Sequence, residues 1–211
     1  MIKKLLILLF SLFFLSSPSV FADDISDFQI EGISIGDSLL DYMTEDEILK
    51  EIELNKNDYL HLKESNKYVE IYSNNQLENN FTTFEYLSFY VKHNETNKYI
   101  TNKNEKFTIL SIRGLIRYVE DFENCIQKSV EIAEVLSRMF LSAEKDEWEG
   151  IHGVDPSGRS KTKTISFYID PNFIDLQCSD YEENFRKEGN YSEGFSISIL
   201  TKAISDWGSD Y

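Results

Sequence analysis

The stretch DFENCIQKSVEIAEVLSRMFLSAEK, Asp121 to Lys145, decides the fold class. Phe122, Cys125/Ile126, Ser129/Val130, Ile132/Ala133, Leu136 and Met139/Phe140 recur at steps of three and four. Glu123, Gln127, Lys128, Glu131, Glu134 and Arg138 fill the opposite side. This period predicts one long amphipathic helix whose apolar stripe faces a core. Glu134 and Arg138 sit four apart, a pairing worth about 0.2–0.5 kcal/mol on an exposed helix. The stripe reads as core and not as a cofactor site.

Outward from the helix the period changes from three-and-a-half to two. Upstream, Tyr68 to Tyr72 reads as a short strand, and in Phe84 to Lys92 the residues Leu87, Phe89 and Val91 alternate with Tyr86, Ser88 and Tyr90. From Thr108 the residues Leu110, Ile112, Ile116 and Tyr118 oppose Arg113 and Arg117. Gly114 breaks that apolar row, which predicts a bulge or a close approach. Downstream, Gly150 to Ser160 reads as loop. Ile165, Phe167 and Ile169 then alternate with Ser166 and Tyr168, and Phe195, Ile197 and Ile199 with Ser196 and Ser198. Such alternation belongs to antiparallel sheets with one wet face. The expected fold is α+β, an antiparallel sheet of about four to six strands packed against one long amphipathic helix.

Residues 1–22 have the form of a secretory signal: Lys3 and Lys4, an apolar run from Leu5 to Leu15, a Ser-Ser-Pro break and Val20-Phe21-Ala22 before the cut. The run is short for a bilayer span, which needs about 20 residues. Residues 23–211 are expected to form a single α+β domain, exported to the periplasm or secreted, with no stable membrane insertion after cleavage. The formal charge of −16 becomes −18 once the two lysines of the signal are lost. That field repels nucleic acid and anionic lipid. Aromatic residues at 14% supply ample material for a core, so the chain is not a disordered acidic segment.

The mature chain opens on FQIEGISIGDSLLDYMTEDEILKEI, Phe28 to Ile52, which contains two hydrolase-like serine motifs. Gly32 to Gly36 spells G-x-S-x-G around Ser34, and Gly36 to Leu39 spells GDSL around Ser38. The second resembles the nucleophile block of SGNH-type hydrolases, which would make Ser38 an esterase nucleophile. That family also needs a G-x-N-D block and a C-terminal D-x-x-H block. The first is absent, Asp58 to His61 comes too early, and Glu149 to His152 is a poor substitute. The stretch reads better as strand, turn, helix, helix. Asp37 or Ser38 caps a short helix, and Thr44-Glu45-Asp46-Glu47 forms a capping box for the next. No catalytic residue is assigned, and the GDSL esterase remains the alternative.

Cys125 and Cys178 are the only cysteines, and in an exported chain they are expected to form a disulfide. Gly153 to Ser160 falls one residue short of a P-loop, with Arg159 in the lysine position and no helix following, so it reads as a turn. The three histidines are scattered, and no calcium-loop spacing occurs. Carboxylates crowd at 41–47, 146–149 and 180–183, which allows at most weak surface calcium binding. No cofactor is expected.

IEGISIGDSLLDYMTEDEI, EYLSFYVK and ILSIRGLIRYVEDFENCIQKSVEIAEVLSRMF together resemble a group of exported proteins of unknown function from marine alphaproteobacteria. The resemblance implies an exported α+β module and carries no activity or site residues. The expected function is a non-catalytic binding or envelope-interaction module for an unidentified protein or small molecule. Tyr86, Tyr90 and Tyr168, on the outward side of their strands, mark the contact surface.

Overall fold

Seven strands form one antiparallel sheet in the computed structural model, which describes residues 24–55, 67–73, 81, 83–93, 100 and 102–209. The expected signal at 1–22 lies outside the described residues, as does His61. In chain order the elements are α1 (Glu45–Asn55), β1 (Tyr68–Tyr72), β2 (Tyr86–Lys92), β3 (Ile109–Arg117), α2 (Phe122–Met139) and β4 (Glu144–Ile151). There follow β5 (Lys161–Ile169), β6 (Asn172–Asp180), α3 (Glu183–Gly189), β7 (Gly194–Leu200) and α4 (Lys202–Ser209). The sheet order is β1-β2-β3-β7-β6-β5-β4. The chain therefore leaves the middle of the sheet after β3, crosses on α2 to the far edge, and returns strand by strand to β7.

Period-two alternation sorts the side chains cleanly. One inner row runs Ile71, Phe89, Ile112, Ile199, Ile174, Phe167 and Lys145, each paired with the next across neighbouring strands. All but the edge residue Lys145 are buried. Each fully buried Ile or Phe contributes about 1.5–3 kcal/mol of transfer free energy. The α2 stripe of Cys125, Ser129, Ala133 and Leu136 closes this face, the helix lying against β5, β6 and β7. Over the other half, α1 packs on β1, and Ile30, Ile33, Leu39 and Met43 join the same core. Where the apolar row breaks at Gly114, the Phe84 ring fills the space: a Cβ there would lie 2.5 Å from Phe84 Cδ1. The β-bulge falls elsewhere, between Tyr90 and Val91.

Several expectations need correction. The sheet has seven strands, more than the four to six expected, and α2 is one of four α-helices among the described residues. The helix stops at Met139, and residues 144–151 form the edge strand β4. Glu144-Lys145-Asp146-Glu147 has helix-forming residues, and pairing with β5 overrides that local preference. Gly150 and Ile151, at the start of the expected loop, belong to the same strand. Cys178 sits inside β6, a strand the sequence reading does not include. Residues 28–36 are not a strand either. Ile30 and Ile33 exchange backbone hydrogen bonds across Glu31 and Gly32, whose φ values of 54° and 81° make a two-residue primed turn.

Candidate functional site

The GDSL segment is tied into the fold by every residue. Gly36 N–H donates to Ile109 O, Ile109 N–H to Asp37 O, and Leu39 N–H to Phe107 O, so the segment runs beside the start of β3. Asp37 accepts from Ser34 N–H at 2.9 Å and from the Tyr42 hydroxyl at 2.8 Å. Burial, then that hydrogen bond and the Asp37 charge, push the Tyr42 phenol up to about 12. Ser38 is 2% exposed. Its hydroxyl lies 2.8 Å from Lys106 O and 3.0 Å from Lys103 O, and accepts from Leu40 N–H. Among the described residues its partners are backbone groups. The capping box is present: Glu47 N–H donates to the Thr44 hydroxyl, and Thr44 N–H to the Glu47 carboxylate.

The P-loop-like run is organised by an acid. Both Asp155 carboxylate oxygens accept from Ser157, and Oδ2 also takes the Ser160 N–H and hydroxyl at 2.9 and 2.7 Å. Burial works against the charge, but these Ser160 and Ser157 bonds outweigh it and hold the Asp155 carboxyl far below the usual range. The Ser160 hydroxyl in turn accepts from Glu182 N–H, fastening the turn to the start of α3. Arg159 pairs with Glu182 at 2.7 Å.

Cys125 and Cys178 form a disulfide, with Cα atoms 5.8 Å apart. It joins the first turn of α2 to the inner face of β6. Four acids of the 41–47 and 146–149 clusters are paired locally, Asp41 with Lys103, Glu45 with Lys106, Glu147 with Lys145 and Glu149 with Lys163. No three His, Cys, Asp or Glu side chains converge on a point among the described residues. His93 stacks on Phe107, and burial lowers its pKa. His152 lies edge-on to Tyr181, in an aromatic group with Phe185 and Tyr191.

The outward side of the sheet has a different character. One row reads Tyr72, Ser88, Arg113, Ser198, Asp175, Ser166 and Asp146 across all seven strands. The three outward tyrosines do not form one surface. Tyr90 is edge-on to Trp207 of α4 and bonded to Glu70, a buried carboxyl whose pKa burial raises. Tyr86 is half-buried, and Tyr168 is 48% exposed at the other end of the sheet. Comparison with known protein families, curated proteins and solved structures finds no match to this chain. The site is therefore defined by its own geometry.

Helix α4 closes the outward side over Tyr68 and Tyr90. Beyond it, Arg113, Asp146, Trp148 and Tyr168 stand exposed, with Ser198, Asp175, Gln177, Ser166 and Thr164 half-buried between them. Arg113 has no ion pair among the described residues. Ser166 donates to Asp175 at 2.6 Å, and burial raises that carboxyl's pKa against this bond. Trp148, 51% exposed, lies over Gly150, where a Cβ would come within 2.7 Å of the indole. A recess of about 330 Å³ opens on the other side between α2 and β4–β5. There Lys145 is already paired with Glu147 at 2.7 Å. Trp148 and Asp175 had escaped the sequence reading because β4 and β6 had. The alternation Ile174-Asp175-Leu176-Gln177-Cys178 was the available signal.

Proposed function

We propose that this is an exported, non-catalytic binding module whose ligand lies against the outward side of β3 to β4. The observation that carries the reading is the row from Arg113 to Asp146, a polar strip flanked by the exposed rings of Trp148 and Tyr168. Exposed aromatic rings beside fixed polar groups are the usual ingredients of a contact surface. The disulfide supports export, since such bonds persist in oxidising compartments. Among the described residues no helix is long and apolar enough to cross a membrane. The buried, backbone-bonded hydroxyl of Ser38 supports a structural role for the GDSL segment.

Chemical-shift mapping of the purified protein against amines, amino acids, sugars and short peptides tests the surface. Saturable shifts are expected at Thr164, Ser166, Tyr168, Asp175 and Gln177; a ligand that maps to α2 or to residues 36–39 would sink the reading. Ser38→Ala is expected to bind as tightly as the parent protein while losing about 1–2 kcal/mol of stability, the cost of a deleted cap and an unsatisfied buried carbonyl. Turnover of short acyl esters that vanishes in Ser38→Ala, or fluorophosphonate label on Ser38, would establish the esterase instead.

A further inference from the structure

The acidic end of the outward face holds a recess of about 540 Å³ where the β5–β6 turn meets the start of β4. Small-molecule sites typically enclose roughly 300–1,000 Å³. Its walls include the rings of Tyr168 and Phe173, with centroids 6.5 Å apart and planes inclined at 41°. Glu144 stands directly across from Tyr168 in the register, and Asp170 lies at the turn. We infer that this recess takes an aliphatic ammonium ligand, of the diamine or polyamine class, between the aromatic rings and the carboxylates. The inference rests on the outward face being the binding surface and names its ligand class.

The distribution of charge in β4 and β5 is what selects a cation. Lys145, Lys161 and Lys163 all fall on the inward-facing positions, where Lys145 and Lys163 pair with Glu147 and Glu149. Glu144, Asp146 and Asp175 fall on the outward positions with no lysine or arginine beside them on β4, β5 or β6. Glu144 and Asp146 are exposed and make no ion pair among the described residues. Aromatic faces attract cations through their quadrupole, and a desolvating wall strengthens the attraction. Glu144 and Asp170 both line the recess, which puts two carboxylates beside the two rings. Two carboxylates on one recess suit a ligand with two ammonium groups. The formal charge of −16 adds a long-range field that draws cations toward the molecule. A bare metal ion is a poorer fit, since no three His, Cys, Asp or Glu side chains converge there among the described residues.

The test is titration of the purified protein at physiological salt with 1,4-diaminobutane, spermidine and tetramethylammonium, with Mg²⁺ and a neutral trisaccharide as comparisons. Spermidine is expected to saturate, with shifts centred on Tyr168, Phe173 and Glu144. Tyr168→Ala and Glu144→Gln/Asp170→Asn are each expected to weaken it at least tenfold. Glu123→Gln/Glu131→Gln, the same charge change on α2, is expected to alter it less than twofold. Equal weakening in the α2 variant, equal competition by Mg²⁺, or no saturation by any amine overturns the inference. Trisaccharide binding that maps to Trp148 and Gln177 overturns the cation assignment but keeps the outward face as the binding surface. Amine binding that maps to α2 overturns both.

Discussion

Replacing both cysteines, Cys125→Ser with Cys178→Ser, is expected to cost about 4 kcal/mol of stability and to lower Tm by roughly 8–16 °C. The residues are 53 apart in sequence and both fully buried. Chain entropy supplies most of the expected loss, because the bond forbids a large share of the unfolded conformations. The folded state suffers too. The bond fixes the first turn of α2 on β6, and that helix covers β5, β6 and β7. Thermal scans with and without reductant, beside the double variant, measure the effect, and peptide mapping without reduction confirms the pairing. An unchanged Tm in the double variant, or two alkylatable thiols in native protein, would refute it.

The parts of this fold legible in the sequence are those where one face is apolar and the other polar. The stripe of α2 and the alternation of β2, β5 and β7 were readable because water and core impose opposite residues on them. β4 was not, since an edge strand exposed along both sides carries no alternation: seven of its eight residues are exposed, and its charges resemble a helix surface. Charged edge strands also discourage pairing with other chains, so the feature that hid β4 has its own physical reason. Residues 28–36 misled in the other direction. Their isoleucines have strand-like spacing, but two successive positive-φ residues turn the chain after Ile30. The outward row depends on register, and register is a property of the paired sheet and not of any one strand. Arg113 was placed on the correct side from sequence. Its alignment with Ser198 and Asp175 emerged only when β3, β7 and β6 were set side by side.

Gly194→Ala is expected to be the most damaging single substitution in the sheet, costing about 2–6 kcal/mol from backbone strain and overpacking together. Gly194 opens β7 at φ +128°, a conformation that side chains on L-residues rarely adopt. An added Cβ would sit 2.4 Å from Ile116 O, 2.6 Å from Tyr118 N and 2.9 Å from Arg117 Cα. All three are backbone atoms at the end of β3, so no side chain can swing away to make room. Relief requires parting the Arg117–Gly194 pair, where the two central strands begin their ladder. The neighbouring residue compounds the cost. Glu193 is 4% exposed, accepts from Glu120 N–H at 3.0 Å and lies 3.3 Å from Arg186 Nε. Shifting Gly194 would pull that buried carboxylate from its partners, a further penalty at the same corner. Gly153→Ala is the matched control, with nothing within 4 Å of its Cβ and an expected change within about 0.5 kcal/mol. Urea denaturation of the two variants beside the parent decides the matter. A Gly194→Ala protein with the parent's midpoint would mean that the β3–β7 junction is not packed as described.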